Sequence, residues 1–278
     1  MEVRRCRAKG QRSGRLHLLG LGLASLTPLL HAFCVGFSGL TGLPCKRITQ
    51  GVRRMAADTR GSISWPPSGS TLRFSHFANW LLPERLLAGR YPYLSPGYCE
   101  SLDEADGQLT ALMQDAKVSS FVCLQAELPP QRDRESWPRR GGVRVPGFPG
   151  RFAPYAAQAE KLASAMGCKV NFVHEPIADL GVPSQEQLSN LLKSLEDMVL
   201  AGEVVYLHCW GGRGRTGVVA ACLLGKLFPE KSADACLDLV QAAYSSRGDY
   251  RDVGQLALSP QTPEQRDFVR AWLADARR

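Results

Sequence analysis

The ten residues that begin at His208 hold the side chains with the clearest chemical potential in this chain. They read His-Cys-Trp-Gly-Gly-Arg-Gly-Arg-Thr-Gly and lie between two apolar runs, 204–207 and 218–224. The first run predicts a buried strand and the second a helix, so that Cys209 ends a strand and Arg215 opens a helix. Glycines between them let backbone N–H groups surround an oxyanion, and the helix N-terminus adds further donors and a positive partial charge. The pattern predicts a phosphate-binding loop with a nucleophilic sulfur at its base.

A structural turn with an inert buried cysteine is the alternative interpretation. The spacing alone is weak evidence, because Cys6 and Arg12 repeat it in a basic stretch where no such site is expected. A structural cysteine, however, has no need of an arginine and a run of glycines beside it. The catalytic interpretation of Cys209 is therefore favoured. The phosphate-binding residues that it predicts are Trp210, Gly211, Gly212, Arg213, Gly214 and Arg215.

Three segments together resemble the cysteine-dependent protein tyrosine and dual-specificity phosphatases. The stretch His-Cys-x5-Arg-Thr-Gly at 208–217 resembles their signature, and residues 176–184 resemble the loop that carries their general acid. That loop places Asp179 in the acid position, 30 residues before Cys209, a spacing that resembles the dual-specificity branch. Residues 261–265 resemble the glutamine loop of the tyrosine phosphatases. Two further segments, 80–89 and 121–127, resemble the entry and second strand of plant, algal and protist members, so the resemblance covers 74–278.

The resemblance assigns a chemical role to each of these residues. The thiolate of Cys209 attacks phosphorus to form a phosphocysteine, and the loop amides, the helix end and Arg215 favour the ionised sulfur. The planar fork of Arg215 holds two phosphoryl oxygens, and Asp179 protonates the leaving oxygen before it takes a proton from water. The scheme uses no metal and no cofactor. The supporting roles are a hydrogen bond from Thr216 to the departing sulfur, orientation of water by Gln261 or Gln265, and ordering of the loop by His208.

Some of these residues also have structural interpretations. Asp179 can be a solvated loop residue, because the sequence does not show where its carboxyl points. Ser184 with Gln187, and Thr262 with Gln265, form capping-box patterns at the starts of two predicted helices. The capping interpretation of Gln265 therefore stands beside its water-positioning one.

Length, charge and cysteine content limit the class of protein. The 278 residues are enough for one domain of about 200 residues plus a leader, and 44% are hydrophobic, which suits a packed core. The net charge of +8 divides into +9 for residues 1–60 and −1 for the remainder, so nucleic-acid binding by the folded domain is not expected. Nine cysteines without paired spacing indicate a reducing compartment.

Residues 1–73 are predicted to be a targeting leader and linker without fold of their own, ahead of a phosphatase domain at 74–278. A basic stretch at 4–15 precedes an apolar run at 16–37, and a second basic, acid-poor stretch follows at 45–62. This order resembles the bipartite plastid leaders of algae with complex plastids. The alternatives are an uncleaved membrane anchor with the domain in the cytosol, or mitochondrial targeting. Contact with a membrane is expected only through this leader.

Predicted strands alternate with predicted helices after residue 74, which indicates an α/β fold with a mainly parallel central sheet and helices on both faces. In such sheets ligands bind beyond the carboxyl ends of the strands, where both Cys209 and the loop of Asp179 are expected. Residues 129–150 are predicted to form a lid or a solvated loop. The predicted strands are 85–89, 120–125, 170–174 and 203–207; the predicted helices are 103–116, 153–166, 184–200, 215–228, 232–245 and 263–276.

The function that these residues predict is hydrolysis of phosphomonoesters, on phosphotyrosine and also on phosphoserine or phosphothreonine in proteins. The alternative substrate class is a phosphoinositide or small phosphorylated molecule, which a second cation at Arg213 and the bulk of Trp210 leave open. A pseudophosphatase that binds phosphorylated partners without turnover is the third possibility. The presence of Cys209, Arg215 and Asp179 together favours the enzyme.

Overall fold

The computed structural model describes residues 63–138, 141–147, 149–249, 251 and 253–276. The predicted basic stretches and apolar run of the leader lie outside these residues. The described residues all belong to a single compact unit within Lys46–Arg278. No helix among them combines the length and the apolar character needed to cross a bilayer.

A five-stranded sheet forms the centre of the molecule. Its strands are β1 (Ala78–Leu82), β2 (Leu86–Gly89), β3 (Ser120–Gln125), β4 (Asn171–Ile177) and β5 (Val205–His208). The spatial order is β1-β2-β5-β3-β4, and every neighbouring pair is parallel except β1 with β2. The central strand β5 is buried at all four positions, as expected for a strand covered on both faces. The prediction of a mainly parallel α/β sheet is confirmed.

Six α-helices cover the sheet: α1 (Leu102–Thr110), α2 (Ala156–Ala165), α3 (Gln185–Leu200), α4 (Gly214–Leu227), α5 (Ala233–Ser245) and α6 (Pro263–Asp275). A π-helical turn, Ala111–Asp115, extends α1. The capping boxes predicted from Ser184 and Thr262 are both present, so the starts of α3 and α6 follow from local sequence. These two caps matter for function because α3 follows the loop of Asp179 and α6 follows the predicted glutamine loop.

The side chains of β5 alternate between two hydrophobic clusters, one on each face of the sheet. Val205 and Leu207 face the cluster formed with α3, α4, α5 and α6. Tyr206 faces the cluster formed with α1 and α2. Cys209 continues from β5 at 4% exposure, so its position is fixed by a strand that is packed on both faces.

The folded part begins before Phe74. Residues 63–73 are predicted as a linker from their serine, proline and glycine content, but Leu72 is buried in the main hydrophobic cluster. Trp65 packs edge-on against Phe228 with ring centroids 5.4 Å apart. The prediction of a linker is therefore wrong for these residues, because three large apolar side chains, Ile63, Trp65 and Leu72, pack this otherwise polar segment against the core.

The loop after β3 is packed rather than lid-like. Trp137 is buried and its indole N–H donates to the carbonyl of Pro130 at 2.9 Å. Gln131 is also buried, donates to the Tyr91 hydroxyl at 3.1 Å and accepts from the Tyr155 N–H at 2.9 Å. Among the described residues of 129–150, these contacts make the loop a support for the aromatic residues beneath the signature loop.

Candidate active site

The glycines of the loop after β5 allow it to approach its neighbours closely. Gly212 has φ of +67°, a conformation that residues with a side chain rarely adopt. A Cβ at this position would lie 2.1 Å from the carbonyl oxygen of Gly89, at the end of the adjacent strand β2. The loop can therefore follow this path only with glycine at position 212.

Carbonyl oxygens of the loop are held from outside by three neighbouring elements. The N–H of Tyr91 donates to the carbonyl of residue 210 at 2.9 Å, and the Ser259 hydroxyl donates to that of residue 213 at 2.9 Å. Between them, the guanidinium of Arg247 donates to the carbonyls of residues 211 and 212 at 3.1 and 3.0 Å. With four consecutive carbonyls bound on the outer side, the loop is arranged to turn its N–H groups towards the cavity, as an anion site requires.

Arg247 is a fully buried cation at the end of α5. Its Nε donates to Asn79 Oδ1 at 2.7 Å, which ties the loop to strand β1 as well. The guanidinium also lies over the Tyr244 ring, 4.7 Å from its centroid. Arg247 thus supplies the loop with a fixed positive charge as well as hydrogen bonds, and the sequence analysis does not identify it.

Arg215, in the first turn of α4, divides its donors between several acceptors. Glu127 binds it with both carboxylate oxygens, at 2.6 Å from Nη1 and 2.9 Å from Nη2. Nη1 also donates to the carbonyl of Ile177 at 3.1 Å, and Nη2 lies 3.0 Å from Asp179 Oδ1. The η nitrogens therefore donate three hydrogen bonds and Nη2 also forms an ion pair with Asp179, whereas no bond from Nε is seen among the described residues.

The pairing with Arg215 determines the charge of Glu127. Partial burial raises the pKa of this carboxyl, but the hydrogen bonds and positive charge of Arg215 outweigh it and lower the pKa below its ordinary value. Burial likewise opposes the charge of Arg215, while Glu127 holds the pKa of the guanidinium above its ordinary value. Both groups are ionised at neutral pH, so Arg215 is locked in orientation before any substrate arrives.

Asp179 follows β4 and reaches the same guanidinium from the opposite side of the cavity. Its carboxyl is 60% exposed while it contacts Arg215, so it is neither buried nor directed entirely to solvent. The turn that carries it closes with a hydrogen bond from the Gly181 N–H to the Ala178 carbonyl at 3.0 Å. Sequence analysis left open where this side chain points, and in the structure it faces the signature arginine.

The two glutamines of the 261–265 segment have different positions. Gln265 is fully buried, accepts from the N–H groups of Gln261 and Thr262 and donates to the Gly181 carbonyl at 3.0 Å. The side chain of Gln261 accepts from Arg213 Nε at 3.1 Å and lines the cavity. Gln265 therefore fixes the turn behind Asp179, while Gln261 is the glutamine that reaches the space above the loop.

His208 is buried between three tyrosine rings, those of Tyr91, Tyr155 and Tyr206. Its Nε2 lies 2.8 Å from the Tyr155 hydroxyl, and its Nδ1 lies 3.3 Å from the carbonyl oxygen of Cys209. Burial lowers the pKa of His208 to about 3, so the ring is neutral at physiological pH. A neutral ring with both nitrogens engaged is arranged to orient the start of the loop and not to transfer protons.

Thr216 is buried and its hydroxyl has no hydrogen-bond partner among the described residues. The predicted bond from this hydroxyl to the sulfur of Cys209 therefore remains a prediction. The hydroxyl is available to donate when a negative charge forms nearby.

A cavity of about 500 Å³ opens above the loop. Beside the loop its wall includes Tyr98, whose ring centroid lies 4.3 Å from the guanidinium of Arg90 and 5.3 Å from that of Arg251. Asp249 pairs with both arginines and so holds this wall together. The predicted site residues that line the cavity are Asp179, Cys209, Trp210, Gly211, Arg213, Gly214, Arg215 and Gln261.

A second depression, of about 620 Å³, lies at the opposite ends of β3 and β4, where these strands begin. Its lining includes Arg132 and Glu160, an exposed ion pair, and none of the predicted site residues. The predicted site residues therefore lie at the carboxyl ends of the strands and not in this depression.

Comparison with known proteins agrees with this geometry. A family model described as "Polymorphic toxin system, DSP-PTPase phosphatase" matches residues 155–226, which include Asp179, Cys209 and Arg215. The putative tyrosine phosphatase 067L of Invertebrate iridescent virus 3 is 37% identical over 106 residues, covering 36% of this chain and 42% of that protein. Human cyclin-dependent kinase inhibitor 3 is 30% identical over 114 residues, covering 37% of this chain and 54% of that protein. These matches make the region around the site similar to the tyrosine and dual-specificity phosphatases.

The family matches span only about half the length of these curated relatives. Among solved structures, Tk-PTP in its active form is 22% identical with a TM-score of 0.43, covering 68% of this chain and 92% of that one. Kinase-associated phosphatase with serine in place of its catalytic-site cysteine is 16% identical with a TM-score of 0.44, covering 68% and 86%. The similarity to phosphatases therefore rests on the sequence matches and on the residues of the site.

Proposed function

We propose that this phosphatase hydrolyses phosphomonoesters in two steps, through a phosphocysteine at Cys209, with phosphotyrosine and also phosphoserine or phosphothreonine in proteins as substrates. The observation that carries the proposal is the loop whose carbonyls are held outward by Tyr91, Arg247 and Ser259 while Cys209 lies at its base. Such a loop presents a preformed set of N–H donors to a phosphoryl group.

Arg215 binds the substrate through the edge that Glu127 leaves available. Because Glu127 occupies one edge of the guanidinium, two phosphoryl oxygens bind at Nε and Nη2, where Asp179 contacts Nη2 in this structure. The substrate therefore replaces Asp179 on the arginine. The displaced carboxyl then lies beside the phosphoryl dianion, which favours its protonated form and prepares it as an acid.

In the first step the sulfur of Cys209 attacks phosphorus as the bond from phosphorus to the ester oxygen breaks. Asp179 gives its proton to that oxygen, and the alcohol or phenol leaves. In the second step Asp179 removes a proton from water, whose oxygen attacks phosphorus while the bond from sulfur to phosphorus breaks. Gln261, at the cavity wall, orients this water, and Thr216 donates to the departing sulfur.

A phosphoinositide or another small phosphorylated molecule is the second candidate substrate. The observation in its favour is that Arg213 and Arg251 both line the Cys209 cavity and add positive charge beside Arg215. Rates on phosphotyrosine peptides and on inositol phosphates, measured in parallel, separate the two classes. A strong preference for inositol phosphates would reverse the order of the candidates.

The variant Cys209→Ser tests catalysis against simple binding. It is expected to bind phosphotyrosine peptides but to release no phosphate from them or from a small aryl phosphate. Asp179→Ala is expected to slow the first step by about 10²- to 10⁴-fold. If wild-type protein binds these esters and releases no phosphate, the chain is a pseudophosphatase. If Cys209→Ser hydrolyses them at the wild-type rate, the covalent mechanism is wrong.

We further propose that residues 1–73 direct the chain to a plastid, on the order of basic and apolar stretches in that leader. A fluorescent reporter fused to residues 1–70 tests this targeting. A plastid signal supports it, a mitochondrial or membrane signal selects one of the alternatives, and a diffuse cytosolic signal contradicts targeting altogether.

A further inference from the structure

Exposed aliphatic side chains are concentrated at the mouth of the Cys209 cavity. Leu180 is 52% exposed and Leu256 is 37% exposed, and both line the cavity. Three further exposed aliphatic residues lie in the same two loops. The resulting set, here called the apolar rim, consists of Leu180, Val182, Val253, Leu256 and Leu258. Among the described residues the one other large hydrophobic side chain with comparable exposure is Leu102.

Leu180 has a backbone conformation that is unfavourable for leucine. Its φ of +60° lies in the left-handed region, where glycine or asparagine is the usual residue and a leucine is strained. The turn around it is nevertheless closed by the Gly181 hydrogen bond and anchored by Gln265. A strained, exposed leucine directly after Asp179 indicates that its side chain has a use at the cavity.

The loop that carries the other rim residues, Val253, Leu256 and Leu258, is also held by hydrogen bonds. The carbonyl of Leu256 accepts from the Tyr244 hydroxyl at 2.7 Å, and the carbonyl of Ala257 accepts from Gln241 at 2.9 Å. Gln241 also accepts from the Ser259 N–H at 3.0 Å. These bonds fix the backbone of the loop to α5, so the exposed side chains form a preorganised surface.

We propose that the apolar rim binds aliphatic side chains next to the phosphorylated residue of a substrate protein. This inference rests on the proposed function, because it assigns a sequence preference to the same site. The phosphoryl group binds the loop while neighbouring aliphatic residues of the substrate cover Leu180 and Leu256 and displace water from them. Each such side chain contributes binding free energy in proportion to the apolar area it covers.

The net charge of the domain favours a protein segment over a membrane surface. Gly97, Tyr98 and Arg251 form a wall that the Cys209 cavity shares with a groove of about 610 Å³. That groove is lined by three carboxylates, Glu100, Glu104 and Asp249, and Asp249 is paired with arginines. Residues 61–278 carry a net charge of −1, without the excess of basic residues that attracts a protein to anionic lipid.

A pair of phosphotyrosine peptides tests the preference. One carries leucine on both sides of the phosphotyrosine and the other carries serine there, and kcat/KM is measured for each with the full-length chain. We expect wild type to prefer the leucine peptide by about tenfold. The double variant Val182→Ser, Val253→Ser, which leaves the cavity lining intact, is expected to reduce this ratio to about twofold. Leu102→Ser, a matched change outside the rim, is expected to keep the wild-type ratio.

Equal rates on both peptides, or the same ratio in wild type and the double variant, would overturn the inference. Binding to vesicles of phosphatidylcholine and phosphatidylserine is compared for the same proteins. Loss of vesicle binding in the double variant, with no peptide preference in wild type, would identify the rim as a membrane contact instead.

A small aryl phosphate separates this inference from the proposed function. If wild type does not hydrolyse that ester, the proposed function fails. Fluorescence anisotropy then measures the affinity for the two labelled peptides, and the leucine peptide is expected to bind more tightly than the serine peptide. If the ester is hydrolysed and the peptides are not distinguished, the rim inference alone fails.

Discussion

At the scale of single residues, Arg215 connects the chemistry to the rest of the molecule. One edge of its guanidinium is held by Glu127, and Nη2 also contacts Asp179, which the proposed mechanism has the substrate displace. The signature motif predicts the arginine but not its carboxylate partner, which lies 88 residues earlier in the chain. No local pattern marks Glu127, because the pairing depends on the adjacency of β3 and β5 in the sheet.

Glu127→Gln keeps the shape of the side chain and removes its charge. We expect kcat/KM on an aryl phosphate to fall by about 10- to 100-fold, because Arg215 loses its fixed orientation. The free energy of unfolding at pH 7 is expected to fall by about 2 kcal/mol, as for hydrogen bonds to charged groups. Glu160→Gln, at an exposed ion pair with Arg132, is the control and is expected to change stability by less than about 1 kcal/mol.

The stability effect of Glu127 depends on pH with a definite sign. Its pKa is lowered by folding, so its contribution is complete above the unfolded value of about 4.3 and is lost as pH falls through the lower folded value. The difference in unfolding free energy between wild type and Glu127→Gln should therefore shrink on acidification. A difference that stays constant from pH 7 to pH 3 would contradict the ion pair.

The contribution of His208 to the free energy of unfolding should depend on pH as expected for a buried, neutral ring. Its pKa of about 3 lies below the ordinary value of 6.5, so the unfolded chain binds a proton between these values and the native state does not. The stability advantage of wild type over His208→Asn is expected to decrease as pH falls from 7 to 4. Urea unfolding at a series of pH values measures it; an advantage that grows on acidification would contradict a neutral buried ring.

At the scale of elements, the loop depends on strands and helices that are distant in sequence. The sequence identifies the loop itself through its glycines and flanking apolar runs, and it identifies the caps of α3 and α6 through short polar patterns. It does not identify Arg247, whose bonds to the loop carbonyls arise only when α5 packs beside β1. Nor does it identify β1, an antiparallel edge strand that follows the Leu72 segment.

Gly212→Ala tests the close approach of the loop to β2. A Cβ there meets the Gly89 carbonyl at 2.1 Å, and φ of +67° is strained for alanine, so the loop must move. We expect the affinity for vanadate and kcat to fall by at least about tenfold. Gly107→Ala, on α1 with open space around its Cβ, is the matched control and is expected to raise stability by about 0.5–1 kcal/mol with unchanged kinetics. Wild-type vanadate affinity in Gly212→Ala would show that the loop tolerates a different path.

At the scale of the whole molecule, the fold class follows from the alternation of apolar strands and amphipathic helices, but the start of the folded unit does not. The composition of 63–73 predicts a linker, because composition counts residue types and does not show that three apolar side chains of the segment pack on the core. Leu72 and Trp65 contact the core across a sequence distance that no periodicity spans.

A truncation series tests the start of the fold. A chain that begins at residue 63 is expected to be more stable than one that begins at residue 74 by about 3 kcal/mol, because the shorter chain exposes the surfaces covered by Trp65 and Leu72. Thermal and urea unfolding of the two proteins measure the difference. Equal stability of the two chains would show that residues 63–73 do not stabilise the fold and act as a linker.

The central claim is that Cys209 carries the phosphoryl group during turnover. A reaction with labelled aryl phosphate, quenched with acid within milliseconds and digested for mass spectrometry, measures this intermediate directly. We predict one phosphoryl group per protein molecule on the peptide that contains Cys209, appearing before free phosphate does. Phosphate release at full rate with no modified Cys209, or with the label on another residue, would contradict the account.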